Sequence, residues 1–138
     1  MIKEYNVYKE DFQNAGMVSS DIKHFLKGLN LDADLLRRIS IATYEAEINM
    51  IIHSEGGVIR LEVSDEDITI VFDDKGPGIK DIELALKPGY STASNKAREF
   101  GFGAGMGLSN IKRVADYFDL NSRYLDKTVL TIKFKVNA

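Results

Sequence analysis

The stretch from Asp32 to His53 most restricts what this chain can become. On a wheel of about 100° per residue, Leu35, Ile39, Ala42, Ala46 and Met50 share one arc. Ile41, Ile48 and Ile52 form an adjoining arc, so the helix has a broad apolar face. Asp32 is placed to cap its start, and Gly56-Gly57 stops it. An earlier helix is predicted over Asp11–Leu29, with Met17, Ile22, Phe25 and Leu26 on one side. Ile2–Tyr8 alternates weakly and suggests an edge strand. Val58–Val63 and Ile68–Phe72 flank Ser64-Asp65-Glu66-Asp67 as a hairpin. Ile82–Leu86 suggests a short helix, and Lys87–Phe100 a mobile surface loop. A helix from Gly105 or Met106 to Phe118 turns Leu108, Ile111, Val114 and Ala115 inward. Strands over Leu120–Tyr124 and Val129–Val136 close the chain. This order predicts helices on one face of a mixed, largely antiparallel sheet, not a doubly wound parallel one.

The 138 residues fit one domain, 1–138. A net charge of −3 offers no general attraction to nucleic acid or to an anionic membrane. A polyanionic ligand must then be held by local groups. The chain has no cysteine, which excludes disulfides and thiolate metal sites. No apolar run approaches the roughly 18 residues of a spanning helix. The N-terminus lacks the apolar core of a signal peptide, so a cytoplasmic location is expected.

Glu45 and Asn49 fall between the two apolar arcs, one turn apart. Burying a carboxylate and an amide there is costly unless each finds a partner. That partner is either neighbouring backbone or a ligand, metal-bound water or reacting group. Glu47 is read as lying on the far, solvated side. His53 continues the row after Asn49, but no second histidine is placed to complete a metal site.

Two glycine segments follow: Asp74-Lys75-Gly76-Pro77-Gly78 and Gly101-Phe102-Gly103-Ala104-Gly105-Met106-Gly107. The first follows a strand and in isolation reads as a turn. Asp73 directly precedes it, so two carboxylates compete for one role. The second leads into a helix, whose free N–H groups and dipole suit phosphate. Alternating glycines expose backbone N–H groups for the same purpose. The Walker pattern fails because Gly107 is followed by Leu108-Ser109. The dinucleotide pattern G-x-G-x-x-G does not occur in Gly101–Gly107.

Glu45-x-x-x-Asn49, Asp74-x-Gly76-x-Gly78 and Gly103-x-Gly105-x-Gly107-Leu108 resemble, in order, the N, G1 and G2 boxes of the GHKL (Bergerat-fold) ATPases. The resemblance runs from about Asp32 to Val136. It implies a two-layer α/β sandwich binding ATP between helices and a lid, with Pro88–Thr92 resembling the lid. It implies that Asn49 binds Mg²⁺ and that Asp74 accepts from the adenine amino group. Gly76 belongs to the same adenine segment, Gly78 lets backbone approach the base, and Gly103, Gly105 and Gly107 wrap the phosphates. Leu108 opens the following helix. Thr128 corresponds to a threonine near the adenine, although the usual preceding glycine is replaced by Asp126-Lys127. Lys80, Lys87, Lys96 and Arg98 are the nearest basic residues for the phosphates. Glu45 would be the general base.

Within that superfamily, Met1–Leu31 is too short for the dimerising region of a histidine kinase, and no transducer domain is evident. The size is most similar to the bacterial anti-sigma-factor and switch-protein serine kinases. That resemblance implies an ATP- and Mg²⁺-dependent kinase that phosphorylates a small antagonist protein. Several such proteins bind a sigma factor as a homodimer, so both are expectations here, with neither nucleic acid nor membrane as a partner. Two alternatives stay open: an ATP-gated binding module without turnover, and a stand-alone ATPase or histidine-kinase-like catalytic domain.

Overall fold

The computed structural model describes residues 1–76, 78–79, 82–87, 107–123 and 125–136. The chain opens with β1 (Ile2–Val7) and a 3-10 turn at Phe12–Asn14. Helices α1 (Met17–Lys27) and α2 (Ala33–His53) follow. Then come β2 (Gly57–Val63), β3 (Asp67–Asp74) and the short α3 (Ile82–Ala85). Helix α4 (Gly107–Val114), β4 (Tyr117–Ser122) and β5 (Thr128–Lys135) complete the described elements.

The strands form one sheet in the order β1-β2-β3-β5-β4. Alternation along each central strand sends one side of the sheet inward. Ile59 and Leu61, then Ile68, Ile70 and Phe72, then Leu130, Ile132 and Phe134 are all buried. They join one core with Ile22 and Leu26 of α1, Ile39, Ala42, Ala46 and Met50 of α2, and Ile111 and Val114 of α4. The predicted layer of helices on one face of a sheet is therefore the observed architecture. Asp32 caps α2 as expected, its Oδ2 accepting the Leu35 N–H at 3.3 Å. At the other end, Ser54 Oγ donates to the Met50 carbonyl at 2.6 Å and stops the helix before the glycines.

Four details differ from the sequence reading. All four strand pairings among the described residues are antiparallel, so the sheet is not mixed. Two consecutive helices reverse the chain between β1 and β2, and a hairpin joins β2 to β3. Helix α1 begins at Met17 rather than Asp11, because Gly16 takes a left-handed φ of +92° that breaks the helix there. Met17 itself is exposed. Finally, α4 ends at Val114 and β4 starts at Tyr117, not at Leu120. The Asp116 N–H donates to the Lys133 carbonyl at 3.0 Å, and Asp116 Oδ2 accepts the Lys135 N–H at 2.8 Å. Pairing with β5 thus claims residues whose spacing alone would continue the helix.

Candidate functional site

One half of the site is built where β3 ends. Lys75 N–H donates to the Gly56 carbonyl and Glu55 N–H to the Gly76 carbonyl, each at 2.9 Å. These bonds tie the turn after β3 to the turn after α2. Asp74, the last residue of β3, is half-buried. Its Oδ1 accepts the N–H groups of Gly76 and Thr128, both at 2.9 Å. Its second oxygen has no protein partner among the described residues. Burial raises the Asp74 pKa from 3.8, and the two N–H donors oppose that rise less strongly. Asp73 is different: it is exposed and pairs with Lys127 Nζ at 3.5 Å. The structure thus separates two carboxylates that the sequence left in competition.

Thr128 extends this network. Its Oγ1 lies 2.6 Å from Ser122 Oγ, which also accepts the Ile79 N–H at 2.7 Å. Three separate segments therefore meet at Asp74 and Thr128 despite the missing glycine before Thr128. Ser122 and Ile79 were not singled out by the sequence reading, since a serine and an isoleucine carry no spacing signal. Gly76 has φ +115°, and a Cβ there would stand 2.1 Å from the Asp126 carbonyl oxygen. Only glycine meets both demands. Gly78 also has a positive φ, of +82°.

The other half lies on α2. Glu45 and Asn49 are both half-buried, so water still reaches them. Neither side chain has a hydrogen-bond partner among the described residues. Asn49 faces the first turn of α4: a Cβ on Gly107 would lie 2.9 Å from both amide atoms of Asn49. The absence of a side chain at Gly107 is what lets this amide approach the α4 N-terminus. Leu108 packs partly buried against the core and anchors that turn. Arg38 closes the far end of the contact, its Nη1 donating to the Val114 carbonyl at 2.9 Å. Gly103, Gly105, Pro88–Thr92, Lys80, Lys96 and Arg98 lie outside the described residues, and Lys87 is exposed.

Glu47 corrects the sequence reading. It is 2% exposed, not solvated. Its Oε2 accepts the N–H groups of Gly16 at 3.1 Å and Val18 at 3.2 Å, and its Oε1 accepts that of Ser19 at 2.9 Å. Three charge-assisted bonds compensate its burial. The overlooked signal was helical: Thr43 four residues before, and Met50 and Ile51 three and four after, are all buried.

A nucleotide fits the Asp74 end on two counts. A carboxylate oxygen is left over for a donor, and Gly76 keeps side-chain atoms out of the turn. Among the described residues no three of His, Cys, Asp and Glu lie close enough to hold a metal together. A cation here would rely on the Asn49 amide oxygen together with phosphate and water, a donor set that suits Mg²⁺. An open groove of about 510 Å³, lined by residues including Leu36, Ile41 and Tyr44, lies elsewhere on α1 and α2 and includes none of these residues.

Residues 35–138 match the family model described as Histidine kinase-, DNA gyrase B-, and HSP90-like ATPase. An anti-sigma F factor of Clostridium beijerinckii is 29% identical over 132 residues, covering 91% of this chain and 89% of its own. One from Clostridium botulinum is 30% identical over 131 residues, covering 91% and 88%. The serine/threonine-protein kinase RsbT of Bacillus subtilis is 36% identical over 89 residues, 62% of this chain and 61% of its own. Among solved structures, a mycobacterial sensor histidine kinase, MprB, shares the fold with a TM-score of 0.53 at 19% identity, covering 72% and 71% of the two chains. The chain belongs to the histidine kinase, gyrase B and HSP90-like ATPase family, and within it is similar to anti-sigma F factors and to a serine/threonine-protein kinase. Family membership carries with it the use of ATP. No helix among the described residues is long and apolar enough to cross a membrane.

Proposed function

We propose that residues 1–138 form a single ATP-binding domain that transfers phosphate from ATP to a serine or threonine of a small antagonist protein. The observation that carries this reading is the held carboxylate of Asp74. With Oδ1 fixed by two backbone N–H groups, its other oxygen is oriented to accept from an adenine amino group. Gly76 and Gly78 keep the turn beneath the base thin. At the other end Asn49 would hold Mg²⁺, and Gly103, Gly105, Gly107 and Leu108 would shape the phosphate segment. ATP supplies the phosphoryl group, and Mg²⁺ the charge that neutralises it. Glu45, half-exposed one turn before Asn49, accepts the proton of the attacking hydroxyl. Thr128 holds Asp74 and lines the adenine end.

The anti-sigma F factors among the relatives support a sigma factor as second partner, and a homodimer as the binding form is proposed with it. A cytoplasmic location follows from such partners.

The test uses purified protein, radiolabelled Mg-ATP and the small protein it retains in a pull-down, followed by phosphosite mapping. Labelled serine or threonine is expected, with Glu45→Ala abolishing label while ATP still binds. Unchanged transfer by that variant removes Glu45 from its role. ATP-dependent partner binding without transfer in the wild type would point to an ATP-gated binding module instead. No nucleotide binding at millimolar concentration would end the reading.

A further inference from the structure

The buried carboxylate of Glu47 takes no part in the chemistry above, yet it sits between Glu45 and Asn49 in sequence. The residue that precedes α1, Gly16, has no side chain to cap it. A carboxylate from α2, 31 residues away, does that work by accepting the N–H groups of Gly16, Val18 and Ser19. One turn later the Glu10 N–H donates to the Ile51 carbonyl at 3.0 Å. The segment preceding α1 and the first turn of α1 are therefore fastened to α2 at two points on one side. About half a helical turn away around α2, Asn49 meets Gly107 and Arg38 holds Val114. Helix α2 is wedged between two partners, and the bonds on the α1 side fix its rotation.

We propose that Glu47 is a positioning residue. By locking α2 to α1 it sets the rotation at which Asn49 faces the first turn of α4, and so tunes the Mg²⁺-dependent part of nucleotide binding. This rests on the assignment of Asn49 to the cation. A small rotation of α2 displaces Asn49 directly against Gly107, whereas Asp74 lies on β3 and is held in place by Gly76 and Thr128.

Glu47→Gln keeps the shape but replaces one acceptor oxygen with an NH₂ group, which cannot accept the N–H facing it. Nucleotide affinity of the full chain is measured by fluorescence titration with Mg-ATP and with ADP in EDTA. The expected result is a Kd for Mg-ATP raised about tenfold, the scale on which residues supporting a metal ligand act. The Kd for Mg-free ADP stays within about twofold. Equal changes in both, or none in either, overturn the proposal, because a general loss of structure would not separate them. A readout without nucleotide accompanies it: the side-chain amide resonance of Asn49 shifts in Glu47→Gln, while that of Asn121 does not. This decides the positioning role even if the wild type binds no nucleotide, the result that would instead sink the ATP reading. Should the variant not fold, wild-type hydrogen exchange replaces it. Coupling is reciprocal, so Mg-ATP must slow exchange at Gly16, Val18 and Ser19 more than Mg-free ADP does. No difference overturns the proposal.

Discussion

Glu45 and Glu47 stand two residues apart on α2 and have opposite surroundings. Glu45 is half-exposed and has no protein partner among the described residues. Glu47 is almost fully buried and takes three backbone N–H groups. Two carboxylates of one residue type thus divide into one left available for a reaction and one used up in holding helices together. A carboxylate engaged by three donors is fixed in place and has both oxygens taken. One that faces partial solvent with no bond to break keeps both oxygens open to a new partner. The same division separates Asn49, packed on a glycine, from Asp74, held by two donors with one oxygen to spare.

Exchanging the roles of the two glutamates would break this comparison. Glu45→Ala should lower phosphotransfer by about 10²–10⁴-fold, the usual contribution of a general base. Its melting curve should stay within roughly 0.5 kcal/mol of the wild type, as for other half-exposed positions. Glu47→Ala should do the reverse in kind. Three orphaned N–H groups near the α1 start predict a loss of roughly 2–4 kcal/mol in urea denaturation. If Glu45→Ala proves the more destabilising, the division fails.

Two glycines sharpen the contrast between the rigid and the adaptable side of the site. Gly76→Ala forces a left-handed φ on alanine and a Cβ against the Asp126 carbonyl. A stability loss of roughly 1–3 kcal/mol is expected, with weaker ATP binding in the same titration. Gly107→Ala meets only the end of the Asn49 side chain, which can swing aside. Its stability should change by less than about 0.5 kcal/mol. Mg-ATP affinity should still fall, since Asn49 is what moves. Equal destabilisation by the two alanines would contradict the difference in what each glycine faces.

The smallest expected effect concerns pH. Burial raises the Asp74 pKa above 3.8 in the folded chain. The folded state then binds this proton more tightly than the unfolded state. The resulting stabilisation is complete below 3.8 and is lost as pH rises through the folded pKa. Asn at position 74 has no such proton. The stability of Asp74→Asn relative to wild type should therefore increase as pH rises above 3.8 and level off above the folded pKa. A difference independent of pH would show that solvent, not burial, governs this carboxylate.

Much of the fold was legible because it is periodic. The Asp32 cap, the length of α2, the β2–β3 hairpin and the alternation of β5 follow from local rules that act within a few residues. Spacing likewise brought Glu45, Asn49, Asp74, Gly76 and Gly107 forward as candidates. Their roles remain proposals, but Asn49 and Gly107 do meet, as do Asp74, Gly76 and Thr128. Local preference gave way where a distant segment outweighed it. Pairing with β5 turned Tyr117 and Phe118 from helix into strand. The bare N-terminus of α1 drew Glu47 inward, although nothing near Glu47 in sequence announces a need for a carboxylate.

The sequence by itself determined which segments are helix and strand over most of the chain, and which residue types were available for nucleotide chemistry. Those properties depend on neighbours along the chain. Only the tertiary structure decided between Asp73 and Asp74, and between Glu45 and Glu47 as the buried acid. Each choice turns on which backbone N–H groups another segment brings within hydrogen-bond reach: Thr128 from β5 for Asp74, and Gly16, Val18 and Ser19 from the start of α1 for Glu47.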